Sequence, residues 1–330
     1  EEVYWKRKLA AARRKHVEAR NLIDKKKYDD MLVRKNVGVL ATYAFMLPLK
    51  PAEKAVIQEA LYSEGENDNV VIQRAGGTLL GAKPFLTRGD IQTLRPRIWL
   101  AEAVINYYMH CLRERQRERV QKKLPSKICH FFRTALYAKI HPSTFDGEAY
   151  TFDQVKNWTK RNVPNNSIFR CQALFFPCNV ARNHWILIVA YMEEKTIQVY
   201  CSLFGSHRSS IKSVFRYLKD AYRHEYQKDM PSQQLWKLYQ NTPHCPRQKN
   251  AYDCGVFVCM YADYIANGWP LVFNQSHMNH CRERIALGCM DNCAVSSRAS
   301  KIMLDEVWKL RYNIILGAQN YKKKFIAFLE

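Results

Sequence analysis

Three residue types stand in an order that suits acyl transfer. In the stretch QKNAYDCGVF, Cys254 lies where a polar loop gives way to an apolar run, and Gln248 precedes it by six residues. In RNHWILIVAYM, His184 stands at the mouth of an apolar, β-branched run. A thiol with an ordinary pKa of about 8.5 is mostly protonated at neutral pH, so a cysteine nucleophile needs a helix N-terminus, a base, or both. Cys254 is expected at such a helix start, His184 is the candidate base, and Gln248 carries an amide N–H of the kind an oxyanion requires. Each residue also has a plainer reading. Free cysteine is among the most buried residue types, strand-end histidines are commonly wet, and a loop glutamine is uninformative alone. The ordered set carries the inference.

Positioning these groups requires strands and a buried helix. FRCQALFFPCN, HWILIVAYM and TIQVYCSL read as successive strands, the last two joined by a turn at Glu193-Glu194-Lys195. CGVFVCMYADYIANGWP reads as a buried helix from Cys254, ended by Gly268 and Pro270. Further helices are expected over Ser209 to Gln227, after Pro51, and after a short extended piece near TRGDIQTL, where Leu100, Val104, Tyr107 or Tyr108, and Cys111 or Leu112 share a face. Residues 1–35 read as a basic amphipathic helix and residues 296–330 as a helical extension. The pattern is α+β: a small, mostly antiparallel sheet flanked by helices, in a central domain over 46–295 between extensions 1–45 and 296–330.

The 330 residues are 47% apolar and 12% aromatic, enough for a sizeable core in a soluble globular protein, and no apolar run approaches a membrane span. Eleven irregularly spaced cysteines suit a reducing compartment, nuclear or cytoplasmic, better than a disulfide framework. The Asn-x-Ser/Thr triplets at Asn157, Asn165 and Asn274 are set aside on that ground. A net charge of +22 favours an acidic partner or nucleic acid. Residues 1–36 hold twelve Lys/Arg against six Asp/Glu, and 113–123 read RERQRERVQKK. The plainer reading of each basic run is a solvated helix face. KRKLAAARRK, from Lys6 to Lys15, also fits a nuclear address.

The order HW, a hairpin, Y-x-S-L, then P-x-Q-x-N-x-x-D-C-G-x-F resembles the SUMO/sentrin-specific cysteine proteases of the papain-like clan, over roughly residues 47–290. The resemblance implies a papain-like fold and cleavage after the Gly-Gly terminus of a SUMO-like modifier, by a monomer without cofactor. It makes Cys254 the nucleophile, His184 the general base and later acid, and Gln248 the oxyanion donor. It assigns Trp99 and Trp185 to a narrow clamp on the modifier tail, where only glycine lacks the Cβ that would jam between two indoles. Asp90 matches a position that contacts the folded body of the modifier.

One slot departs from that family. Seventeen residues after the histidine, these proteases carry an aspartate, and this chain carries Cys201. A carboxylate there fixes the imidazole tautomer and stabilises the imidazolium, and a thiol does neither well. Three readings stand: a divergence that lowers or alters activity, a relative that binds modifier without cleaving it, or an introduced substitution. Ala101-Glu102 replaces the family's more usual Asn-Asp. A zinc site from His277, His280, Cys281, Cys289 and Cys293 is disfavoured, because their spacing lacks the usual C-x2-C pairs, and core packing is expected instead. A functional reading of a different class is a nucleic-acid binder driven by the basic N-terminal helix, and it predicts strong salt dependence.

Overall fold

The structure, a computed structural model, describes residues 48–73, 85–123, 126–141, 150–159 and 163–291. The expected extensions 1–45 and 296–330 lie outside the described residues.

Two long antiparallel pairings form the middle of a five-stranded sheet. Strand β4 (Ala173–Val180) pairs with β5 (His184–Tyr191), and β5 with β6 (Thr196–Tyr200). Short strands β3 (Cys129–Phe131) and β7 (Lys237–Tyr239) add parallel edges, so the order is β3-β4-β5-β6-β7 and the sheet is mixed. The expected turn joins β5 to β6, with Tyr191 opposite Thr196 and Lys195 at φ 50°. A separate ribbon pairs β1 (Val70–Gln73) with β2 (Phe85–Thr87).

The sheet is covered on both faces, which explains why its strands read as continuous apolar runs. Along β5, Leu187 and Val189 join the core formed with α3 (Glu102–Gln121), α6 (Cys254–Asn267) and α7 (Met278–Met290). Ile186, Ile188 and Ala190 enter the opposite core, with α4 (Thr134–Ile140) and α5 (Arg208–Tyr226). Two further α-helices lie N-terminal to these: α1 (Pro51–Tyr62), with Pro51 at its first position as expected, and the short α2 (Arg88–Gln92).

Helix α6 is buried from Cys254 to Ala266, as an all-round apolar helix must be. Its end is a glycine cap: Gly268, at φ 70°, donates its N–H to Ile265, and Trp269 donates to Tyr264.

Two expectations are corrected. The piece at TRGDIQ is extended only at Thr87, the end of β2, and helical from Arg88, because Thr87 caps it: its hydroxyl accepts the Asp90 N–H at 3.2 Å while the Asp90 carboxylate accepts the Thr87 N–H at 3.0 Å. The basic run after residue 112 does not follow the helix but continues it to Gln121, and only its later part, from Glu118, is largely solvated. Arg113 and Arg115 are buried, and Arg115 forms an ion pair with Asp263 of α6.

Candidate active site

The site forms where one end of β5 meets the first turn of α6. Asn250 sets that turn: its side-chain oxygen accepts the backbone N–H groups of Tyr252 at 3.2 Å and Asp253 at 3.1 Å, a local turn that delivers the chain into the helix. Asp253 is the N-cap and Cys254 the first helical residue. Gly255 comes next for a steric reason. A Cβ built there would lie 2.8 Å from the Leu100 Cβ, so the segment carrying Trp99 and Leu100 approaches the helix closely only because residue 255 has none.

The Cys254 thiol is buried, and burial raises its pKa above the usual thiol value. The backbone N–H groups of Trp185, Gly255 and Cys254 itself act in the opposite direction, and the neighbouring Asp253 carboxylate adds to the rise. The sulfur therefore sits among amide donors suited to a thiolate, without enough of them to hold it ionised at rest.

His184 opens β5, one residue before the Trp185 amide that faces the thiol. Its Nε2 lies 3.3 Å from the Cys201 sulfur, just beyond the end of β6. Cys201 is thus brought against the imidazole, and Gly205 donates its backbone N–H to the same sulfur at 3.4 Å. No Asp or Glu among the described residues forms an ion pair with His184. Burial and the nearby His207 ring, whose centroid lies 6.4 Å away, pull the imidazole down to about 4 from the ordinary value of about 6.5. Both shifts favour the neutral forms, a thiol and an imidazole.

Gln248 is buried and held at both ends of its amide. Its Oε1 accepts the Ser202 hydroxyl at 2.6 Å; Nε2 donates one N–H to the Asn250 carbonyl at 2.6 Å and has a second to give. Its backbone N–H reaches the Ser202 carbonyl at 3.0 Å. The strand end Cys201-Ser202 therefore orients both the imidazole and the amide. Ser202 was not singled out from the sequence, although its adjacency to the third slot was a usable signal.

The two tryptophans differ. Trp185 is buried in the core, whereas Trp99 is 52% exposed, one residue before the Leu100 that lies against Gly255. Asp90 is spent on capping α2, where Oδ2 also accepts the Thr87 hydroxyl at 2.9 Å. Among the described residues, none of its hydrogen bonds reaches Cys254, His184 or Gln248. Of the disfavoured zinc ligands, Cys281 and Cys289 are fully buried in the core, His277 Nδ1 accepts the Asn274 N–H at 3.3 Å, and Cys293 lies outside the described residues. Among the described residues, no group of three metal-ligating side chains is placed to hold an ion. No described helix is long and apolar enough to cross a membrane.

The family described as the Ulp1 protease family, C-terminal catalytic domain, matches residues 98–295, more than half of the chain. The protein belongs to this family. It is 29% identical over 240 residues to the putative ubiquitin-like-specific protease 1B of Arabidopsis thaliana, covering 72% of this chain and 66% of the relative. It is 30% identical over 262 residues to the mouse (Mus musculus) sentrin-specific protease 2, covering 77% and 41%. The chain thus spans less than two thirds of these relatives' lengths. Among solved structures, the yeast Ulp1 protease domain in complex with Smt3, the yeast ortholog of SUMO, superposes with a TM-score of 0.58 at 23% identity, over 75% of this chain and 98% of that one. The Chaetomium thermophilum Ulp1-like SUMO protease domain gives 0.56 at 20%, over 74% and 91%. These two share the fold: α+β with a mixed sheet, the class expected from the sequence.

Proposed function

We propose that this member of the Ulp1 family is a cysteine isopeptidase or endopeptidase that cleaves after the Gly-Gly terminus of a SUMO-like modifier. The observation that carries the reading is the convergence on Cys254 of three backbone amides, at a strand end whose first residue is an imidazole oriented through Nε2. With its proton on Nε2, His184 leaves Nδ1 as the base. Nδ1 takes the Cys254 proton as sulfur bonds to the glycine carbonyl carbon, and the carbonyl oxygen becomes an oxyanion that accepts N–H groups from Gln248 Nε2 and the helix start. Collapse breaks the C–N bond; His184 returns the proton to the leaving amine, and water releases the modifier from the thioester.

Trp99 and Trp185 flank the tail in this reading, and Asp90 meets the body of the modifier. Because both thiol and imidazole rest neutral, proton transfer accompanies attack rather than preceding it, and turnover is slower than with an acid in the third slot.

A second reading is favoured by one observation, the thiol at 3.3 Å where a carboxylate would hold the imidazolium: a relative that binds the modifier without cleaving it. A modifier carrying a C-terminal fluorophore separates the two. Release abolished by Cys254→Ala supports cleavage. Saturable binding without release under reducing conditions overturns it.

A further inference from the structure

Arg282 lies in α7, 29 residues beyond Asp253, and is 1% exposed. Its Nε donates to Asp253 Oδ1 at 2.9 Å and its Nη2 approaches the same oxygen at 2.8 Å. The remaining donors go to backbone carbonyls. Nη1 reaches Thr93 and Arg95, each at 3.0 Å, and Nη2 reaches Ile98 at 2.7 Å and Tyr252 at 3.0 Å. The other Asp253 oxygen accepts Asn250 Nδ2 at 2.7 Å and Gln275 Nε2 at 2.8 Å. One guanidinium thus joins the residue before the nucleophile to three carbonyls in the segment that ends at Trp99.

We propose that Arg282 is a positioning residue, which sets the distance between the Trp99 wall and the Cys254 helix start and neutralises Asp253 beside the thiol. The proposal rests on the reading of Cys254 as nucleophile and Trp99 as clamp. Three carbonyls turned inward within six residues need a buried multi-donor cation, and only the planar fork of arginine supplies that many N–H groups in one place. Leu100 pressed against Gly255 provides the second anchor of the same segment. The Asp253 carboxylate is needed to compensate the buried guanidinium, and its own field opposes ionisation of Cys254. Arg282 offsets that field.

The test compares wild type, Arg282→Met and Arg282→Met/Asp253→Asn by two readouts on protein shown to be folded by circular dichroism. The first is the pH dependence of Cys254 alkylation by iodoacetamide, which needs no modifier. The second is KM and kcat on a SUMO-like modifier with a C-terminal fluorophore. Arg282→Met should move the alkylation midpoint up by about one pH unit, because Asp253 is left uncompensated, and raise KM about tenfold or more as the Trp99 wall shifts. The double variant should bring the midpoint back and leave KM high. A folded Arg282→Met with the wild-type midpoint and KM, and only fewer active sites, overturns the proposal. If Arg282→Met does not fold, Arg282→Lys keeps the charge without the fork: raised KM at an unchanged midpoint supports the proposal, and a wild-type KM overturns it. Wild type that fails to turn over the modifier instead refutes the functional reading, while the alkylation readout still decides the electrostatic role of Arg282.

Discussion

His184 Nε2 lies 3.3 Å from the sulfur of Cys201, and that sulfur also receives the Gly205 N–H at 3.4 Å. The imidazole is therefore oriented by a thiol, an acceptor too weak to favour an imidazolium. Cys201→Asp should pull His184 up from about 4 to near or above its ordinary value. Turnover should rise by about tenfold or more, well short of the roughly 10⁴ that the acid is worth in serine enzymes. NMR titration of the His184 ring with steady-state kinetics checks both. An unmoved titration would mean that the slot does not act on the ring.

The resting protonation states give a pH signature. A thiolate–imidazolium pair would alkylate at a nearly constant rate across neutral pH. Here burial raises the Cys254 thiol and lowers His184 to about 4, so alkylation should climb as pH rises through and above the ordinary thiol range of about 8.5, with no plateau between pH 5 and 8. Rates of iodoacetamide modification from pH 5 to 10 distinguish the two curves.

Acid should weaken the fold in a defined window. His184 and His130 are both held below the ordinary histidine range, at about 4 and about 3, chiefly by burial. A lowered folded pKa means that the unfolded chain binds more protons as pH falls. Their contribution is therefore intact above about pH 6.5 and is lost progressively toward pH 4 and 3. Urea midpoints measured from pH 7 to 4 should fall, and His130→Phe should flatten that fall.

Gly255→Ala tests the close approach behind Cys254. The added methyl would meet Leu100 at 2.8 Å, a contact that must be relieved by moving the Trp99–Leu100 segment or the helix start. Overpacking of this kind costs about 1–3 kcal/mol, and kcat/KM should drop by more than that stability loss explains. Thermal melts alongside kinetics separate the effects.

Much of this arrangement was legible in the sequence because it depended on local pattern. The apolar run from His184 marked a strand buried on both faces, and the change of texture at Asp253-Cys254 marked a helix start. The run from Arg113 misled because charge alone reads as solvent-facing, whereas Arg115 is matched by Asp263, 148 residues away. Arg282 was illegible for the same reason: its five backbone and carboxylate partners are brought together only by folding. Ser202 and Gly255 were visible as neighbours of important residues, but their roles depend on a hydroxyl direction and a missing Cβ that spacing does not encode.

The central claim is that Cys254 is a nucleophile served by His184 for a modifier ending in Gly-Gly. A SUMO-like modifier bearing an electrophilic group in place of its terminal carboxylate should form one covalent adduct under reducing conditions, mapped by mass spectrometry to the peptide containing Cys254. The adduct should vanish in Cys254→Ala and form much more slowly in His184→Ala. Labelling that persists in Cys254→Ala, or maps to Cys201, would contradict the account.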